Sequence, residues 1–246
     1  MGNAPSFASD SPKENRLLAA LPDEDYRALL PFLESVALPL GMAIYESGGV
    51  QGYVYFPTNA IVSLLYVLED GSCAEIAVTG CEGLVGIALF MGGETTPSRA
   101  VVQSGGHGYR IKAAALKTRF EAGGALQYLL LRFTQALITQ MTQTAVCNRH
   151  HAVDQQLCRW LLLSLDRLPA NELQMTQELI ANMLGVRREG VTEAAGKLQA
   201  AGVIEYSRGR IKVLDRPRLQ ARACECYAVV KKEYDRLLPP AMLESA

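Results

Sequence analysis

The sequence predicts an α+β protein in two halves, a β-rich first half of β-barrel or jelly-roll type and a helical second half. Three observations carry this. Five short runs rich in β-branched and aromatic residues lie between residues 42 and 103, separated by glycines and turn residues. From Leu116 onward, apolar residues recur instead at three- and four-residue spacing. The length of 246 residues exceeds one small domain, so two domains are expected. Hydrophobic residues make up 49% and charged residues 20%, which suits ordinary buried cores and excludes a disordered or collagenous chain.

Residues 1–15 read as a flexible polar tail. Residues 1–6 fit the loose N-myristoylation pattern, but nothing basic follows them, so no lipid anchor is expected. Leu17, Leu18, Leu21, Tyr26, Leu29 and Leu30 then recur at helical spacing, with Pro22 opening a second helical segment. The β runs cover 42–45, 52–56, 60–68, 73–78 and 99–103. Asp70-Gly71 marks a hairpin between the third and fourth, because that pair readily takes positive φ angles. His107 falls in what reads as a glycine-rich turn.

Residues 125–147 predict one long helix. Leu126, Leu130, Phe133, Leu137 and Met141 form its apolar seam, read as a dimer contact, with Gln135, Thr139, Gln140 and Gln143 facing water. A second helix spans 153–168 with Leu157, Trp160, Leu161 and Leu165 inside, and Pro169 ends it.

Residues 177–196 read as a helix-turn-helix. Thr176 suits the N-cap, and Met175 and Ile180 are placed as a hydrophobic staple across it. Ala181 is small where two helices cross, Gly185 supplies the left-handed turn, and Ile180, Leu184, Val186, Val191 and Ala194 lock the pair onto a core. After Gly202, runs at 203–206 and 211–214 flank a basic tip, which makes a wing carrying Arg208, Arg210 and Lys212 toward a phosphate backbone. Arg187, Arg188 and Glu189 open the second helix. Two arginines oppose the positive end of a helix dipole, so local stability does not account for them, whereas base edges in a major groove would.

The run Thr176-Gln177-Glu178-Leu179-Ile180-Ala181-Asn182-Met183-Leu184-Gly185-Val186, followed by Arg188-Glu189 and Val191, resembles the signature of the Crp/Fnr family of bacterial transcription regulators. The resemblance extends over about residues 16–214. It implies a double-stranded β-helix of cyclic-nucleotide-binding type at 16–122, a dimerisation helix at 123–152, a winged helix-turn-helix at 153–217 and a helical extension at 218–246. It makes Arg188 and Glu189 the base-reading pair, within a DNA-facing set that adds Thr176, Gln177, Arg187, Thr192, Glu193 and Lys197 to the wing residues. Glu193 stands where the family often has a second base-reading arginine, and Arg187 is the residue that could compensate. Partners implied are palindromic double-stranded DNA, a second copy of the chain and RNA polymerase.

Residues 83–90 and 96–100 resemble the phosphate-binding cassette of cyclic-nucleotide sensors. Cyclic-AMP binders of the family place a glutamate after the glycine and an Arg-Ser pair at the phosphate. Here Ile87 follows Gly86, and Pro97-Ser98-Arg99 replaces Arg-Ser. Gly86, Ile87, Ser98 and Arg99 remain the candidate effector residues, with cyclic AMP not expected and another small effector, or none, in its place.

No catalytic motif occurs, so no enzyme is expected; a cupin-like metal enzyme would need clustered histidines, and the chain has three, His107, His150 and His151. Cys73, Cys81, Cys147, Cys158, Cys224 and Cys226 include no CxxC pair, and Cys224 and Cys226 lack a second pair nearby in sequence. Free thiols, no metal and no cofactor are expected, in a soluble cytoplasmic protein without a membrane span. The net charge of −1 leaves any DNA binding to a local patch. That near-neutral balance and Glu193 keep a second reading open, a ligand-sensing β-roll acting mainly through protein–protein contacts.

Overall fold

The structure is a computed structural model that describes residues 11–168 and 171–238. The myristoylation-like start, Pro169 and the last eight residues of the expected extension lie outside the described residues. Residues 11–15, expected in a flexible tail, belong to the fold instead. Asn15 is buried: its amide donates to the carbonyls of Pro57 (2.9 Å) and Gly83 (2.7 Å), and its Oδ1 caps α1 (Arg16–Ala19) by accepting from Leu17 and Leu18. α2 (Asp23–Leu29) follows, with Asp23, Glu24 and Asp25 in the first turn, where the helix dipole favours them.

Seven strands form two antiparallel sheets. β1 (Glu34–Leu38), β7 (Gly106–Lys112) and β3 (Tyr53–Pro57) lie in the order β1-β7-β3. β2 (Ala43–Tyr45), β6 (Arg99–Ser104), β4 (Ile61–Val67) and β5 (Cys73–Thr79) lie in the order β2-β6-β4-β5. Leu38, Val54, Phe56, Ile61, Val62, Val102 and Ile111 from both sheets are buried in a shared core. The β4–β5 turn forms as expected: Leu68 N–H donates to Ser72 O (2.8 Å), Asp70 accepts from Ser72 N–H, and Gly71 has φ +83°.

β1 and β7 had no counterpart among the expected runs. In β7 two glycines obscure the pattern, and both are required by close approach. A Cβ on Gly106 would lie 2.4 Å from Asn59 Oδ1, and one on Gly108 would lie 2.6 Å from the Phe56 carbonyl. His107 therefore sits in a strand opposite Ala37, not in a turn.

After α3 (Ala113–Glu121), the long helix α4 (Gly124–His150) runs for 27 residues. Its expected dimer seam is inside the chain. Leu126, Leu130, Phe133 and Leu137 are buried in the protein's own core, and Met141 packs against it. A Cβ on Gly83 would lie 2.1 Å from the Phe133 ring, so the ring fills the space that glycine leaves. Gln140, expected to face water, is buried and donates to Val78 O at 2.9 Å. The exposed large apolar residues of α4 are Tyr128, Leu131, Ile138 and Val146, a different stripe.

α5 (Val153–Leu165) ends at Leu165, earlier than expected, and Arg167 in the turn that follows pairs with Glu82 (2.7 Å). Then come β8 (Glu172–Gln174), α6 (Gln177–Leu184), α7 (Arg188–Ala200), β9 (Ile204–Ser207) and β10 (Arg210–Val213). The strands are ordered β8-β10-β9, so the expected two-stranded wing has a third strand. α8 (Arg216–Arg222) leads to α9 (Glu225–Leu237), which lies along α4: Arg132 donates to Arg236 O (2.8 Å), and Gln143 Nε2 lies 3.2 Å from Cys226 Sγ. Among the described residues, no helix is long and apolar enough to cross a membrane.

Candidate nucleic-acid interface

Thr176 begins the motif by accepting from Leu179 N–H (3.3 Å), and Met175 and Ile180 on either side are buried. Gly185 closes α6 at φ +65°, a left-handed conformation that a side chain would strain. Ile180, Ala181, Leu184, Val191, Ala194 and Leu198 bury the facing sides of α6 and α7. This packing turns the opposite face of α7 to solvent. Arg187, Arg188, Glu189, Thr192, Glu193 and Lys197 are all exposed there.

Arg187 is the N-cap of α7 and makes no side-chain capping bond. The position therefore gives up the stabilisation that a Ser, Thr, Asn or Asp would provide, about 1 kcal/mol. Thr192 donates to Gln177 Oε1 (2.7 Å), which ties one α7 side chain to α6, while Arg188 lies 3.9 Å from Glu178 in a loose, exposed pair. Glu193 and Lys197 are paired at 2.8 Å. The ammonium holds the Glu193 carboxyl below its ordinary range, and the carboxylate raises the lysine in return. Lys197, expected in the DNA-facing set, thus comes with its own counter-charge. Such exposed pairs are weak, and a phosphate can displace the carboxylate.

The wing divides its cations between two surfaces. Arg208 (φ +49°) and Gly209 (φ +76°) make the tight turn between β9 and β10, both in the left-handed region that matches strand twist. Arg208 joins Thr176, Gln177, Arg188, Tyr206, Ser207 and Gly209 in lining a cleft between the wing and the start of α7. Tyr206, which the sequence did not single out, braces this cleft by donating its hydroxyl to Met175 O (2.9 Å). Its burial raises the phenol, and the charge of Arg188 opposes that. Arg210 and Lys212 lie on a second surface with Glu172 and Glu205, where Arg210 pairs with Glu172 at 3.0 Å. The expected wing cations are all exposed, and Arg208 lines a common cleft with Arg188.

In the β-roll, Gly86 (φ +116°) sits against β3, and the Ile87 side chain packs on the core. Ser98 is buried and shares hydrogen bonds with Thr96 (3.0 Å) and Tyr45 (3.5 Å). Arg99 is held by Glu46 at 2.8 Å. The expected effector residues thus present a hydroxyl already satisfied by its neighbours and a guanidinium already neutralised.

The fold brings together side chains that the sequence keeps apart. Cys224 and Cys226 have no partners nearby in sequence, but Cys147 and His151 come to lie beside them in space. The i, i+4 spacing of Cys147 and His151 was the available signal, since it puts both on one helix face.

Residues 155–222 match the model of the Crp-like helix-turn-helix domain, so the C-terminal half carries that domain, with α8 as part of it. No curated protein matches the chain. Solved structures give the fold of the whole. A putative transcriptional regulator of the Crp/Fnr family from Eubacterium rectale superposes with TM-score 0.64 at 17% identity, covering 85% of this chain and 98% of that one. FixK2 from Bradyrhizobium japonicum gives TM-score 0.65 at 18% identity, over 78% of this chain and 98% of its own. The regulator CLP of Xanthomonas campestris, described as c-di-GMP responsive, gives 0.62 at 17%, over 78% and 99%. The fold is that of the Crp/Fnr transcription regulators: a β-roll, a long helix and a winged helix-turn-helix.

Proposed function

We propose that this chain is a sequence-specific, DNA-binding transcription regulator that acts as a homodimer and has a degenerate effector pocket. The observation that carries the reading is the cleft shared by Arg188 at the start of α7 and Arg208 at the wing tip. A helix N-terminus that presents an arginine to solvent, beside a cationic hairpin turn, matches a duplex with base edges in the groove and phosphates at its rim. Homodimerisation is supported by Tyr128, Leu131, Ile138 and Val146, which line one exposed side of α4. A two-fold partner on that stripe would set two recognition helices toward half-sites about one helical turn apart.

The effector reading rests on Arg99 and Ile87. A cyclic phosphate would have to displace Glu46 from Arg99, and Ile87 offers no acceptor to a ribose hydroxyl. The c-di-GMP response described for the Xanthomonas regulator is a precedent for a non-cyclic-AMP effector on this fold.

Salt-dependent binding of the purified protein to a mixed-sequence duplex tests the reading. A steep fall in affinity with rising salt, together with preference for a subset of sequences, is expected. Weak binding to every duplex at low salt would leave the β-roll acting through protein contacts instead.

A further inference from the structure

Four side chains with metal-binding atoms converge where α4 ends and α9 begins. Cys147 lies in the last turn of α4, His151 is its C-cap, Cys224 is the N-cap of α9 and Cys226 lies in the first turn of α9. Their ligand atoms all lie within 4.8 Å of one another. Cys147 Sγ and Cys224 Sγ are 3.5 Å apart, and Cys226 Sγ is 3.5 Å from His151 Nδ1. A tetrahedral ion with metal–sulfur bonds of about 2.3 Å has sulfur–sulfur edges of about 3.8 Å. The donors are therefore already spaced as the corners of one coordination shell. All three cysteines are buried.

The surroundings match those of a metal ligand set. His151 turns Nδ1 toward the sulfurs, while its Nε2 lies 3.3 Å from Glu225 Oε2. A metal-bound histidine commonly donates its second ring N–H to a carboxylate in this way, which fixes the tautomer and the ring plane. Gln143 donates to Cys226 Sγ at 3.2 Å, a bond that suits a thiolate.

We propose that Cys147, His151, Cys224 and Cys226 form a Cys3His site for a single tetrahedral, thiophilic divalent ion, with zinc as its occupant. Three thiolates and one imidazole are a structural zinc set, and their compactness selects one ion over an iron–sulfur cluster, whose own sulfides would hold the cysteines farther apart. The ion bonds α9 to the end of α4 just before the chain turns into α5. Its binding energy is then folding energy for the C-terminal helix.

The test uses the full chain, purified reduced and without chelator. Elemental analysis should find about one zinc per chain, and cobalt titrated into the metal-free protein should give thiolate charge-transfer and intense tetrahedral d–d bands. Cys147→Ser and Cys224→Ser together should abolish both signals. Glu225→Gln changes an exposed side chain, so it keeps the fold; it should weaken zinc binding about 10- to 100-fold. The proposal is overturned if the reduced wild-type protein binds zinc and cobalt no better than the double variant. It is overturned equally if cobalt gives the pale spectrum of octahedral oxygen ligands, or if mass spectrometry of the freshly purified protein finds a Cys147–Cys224 disulfide and no metal.

Discussion

Arg167 and Glu82 form a buried ion pair, Nε to Oε1 at 2.7 Å, that ties the loop after β5 to the turn after α5. The same guanidinium bonds Gln140 of α4 (3.1 Å) and lies 5.6 Å from the centre of the Tyr234 ring of α9. Gly80 lets it pass, since a Cβ there would lie 2.8 Å from that of Arg167. One side chain therefore joins the β-roll, the long helix, the helix-turn-helix domain and the C-terminal helix.

Removing one partner leaves the other charge buried and unpaired. Glu82→Ala should cost about 3–5 kcal/mol in urea unfolding, whereas Glu82→Leu with Arg167→Met should recover much of that loss. A cost near zero for Glu82→Ala would mean that water reaches the pair.

Trp160 of α5 donates to Glu75 of β5 at 3.0 Å, and burial raises the Glu75 carboxyl from 4.5 to about 7, offset in part by Ser63, Arg159 and the Trp160 N–H. Below pH 4.5 both folded and unfolded states hold the proton, and the group is neutral in each. Between pH 4.5 and 7 only the folded state holds it, so this group's contribution falls as pH rises and levels off above 7. Glu75→Gln should remove that slope and add up to about 3 kcal/mol above pH 7. Parallel stability–pH curves for the two proteins would contradict this.

Leu131→Asp or Ile138→Asp should split the dimer while leaving a folded monomer, because both side chains are exposed in the single chain. Phe133→Asp should instead unfold the protein, since that ring is fully buried. Analytical ultracentrifugation and circular dichroism separate the two outcomes. A wild-type protein that sediments as a monomer at micromolar concentration would remove the dimer.

Calorimetry with cyclic AMP should give no binding at micromolar concentration. Glu46→Gln frees Arg99 and should still not create a site, because Ile87 leaves the ribose unheld. Micromolar binding that is lost with Arg99→Ala would reverse the reading of the pocket.

The helix-turn-helix was legible in sequence because its signals are local: Thr176 as cap, Gly185 as turn and the apolar spacing between them act within a few residues. The orientation of α4 was not. A 27-residue helix carries apolar residues on more than one face, and periodicity does not tell which one its own domain covers. Leu130 and Leu131 are neighbours in sequence, yet one is buried and the other half-exposed. β7 was hidden because contacts with Asn59 and Phe56, distant in sequence, dictate its glycines. The cysteine–histidine cluster was hidden for the same reason, since Cys147 meets Cys224 across 77 residues.

Selection of bound sequences from random duplex DNA, run in parallel on the wild type, Arg188→Ala and Arg208→Asn, tests the central claim most directly. Asparagine tolerates the left-handed backbone at 208, so that variant changes the charge without straining the turn. The wild type should select two inverted half-sites about one helical turn apart. Arg188→Ala should lose about 1–3 kcal/mol on that site and relax one position in each half. Arg208→Asn should select the same sequence, bind every duplex more weakly and lower the salt slope by about one unit. Unchanged selection with Arg188→Ala, together with altered selection by Arg208→Asn, would contradict the docking of α7 in the groove.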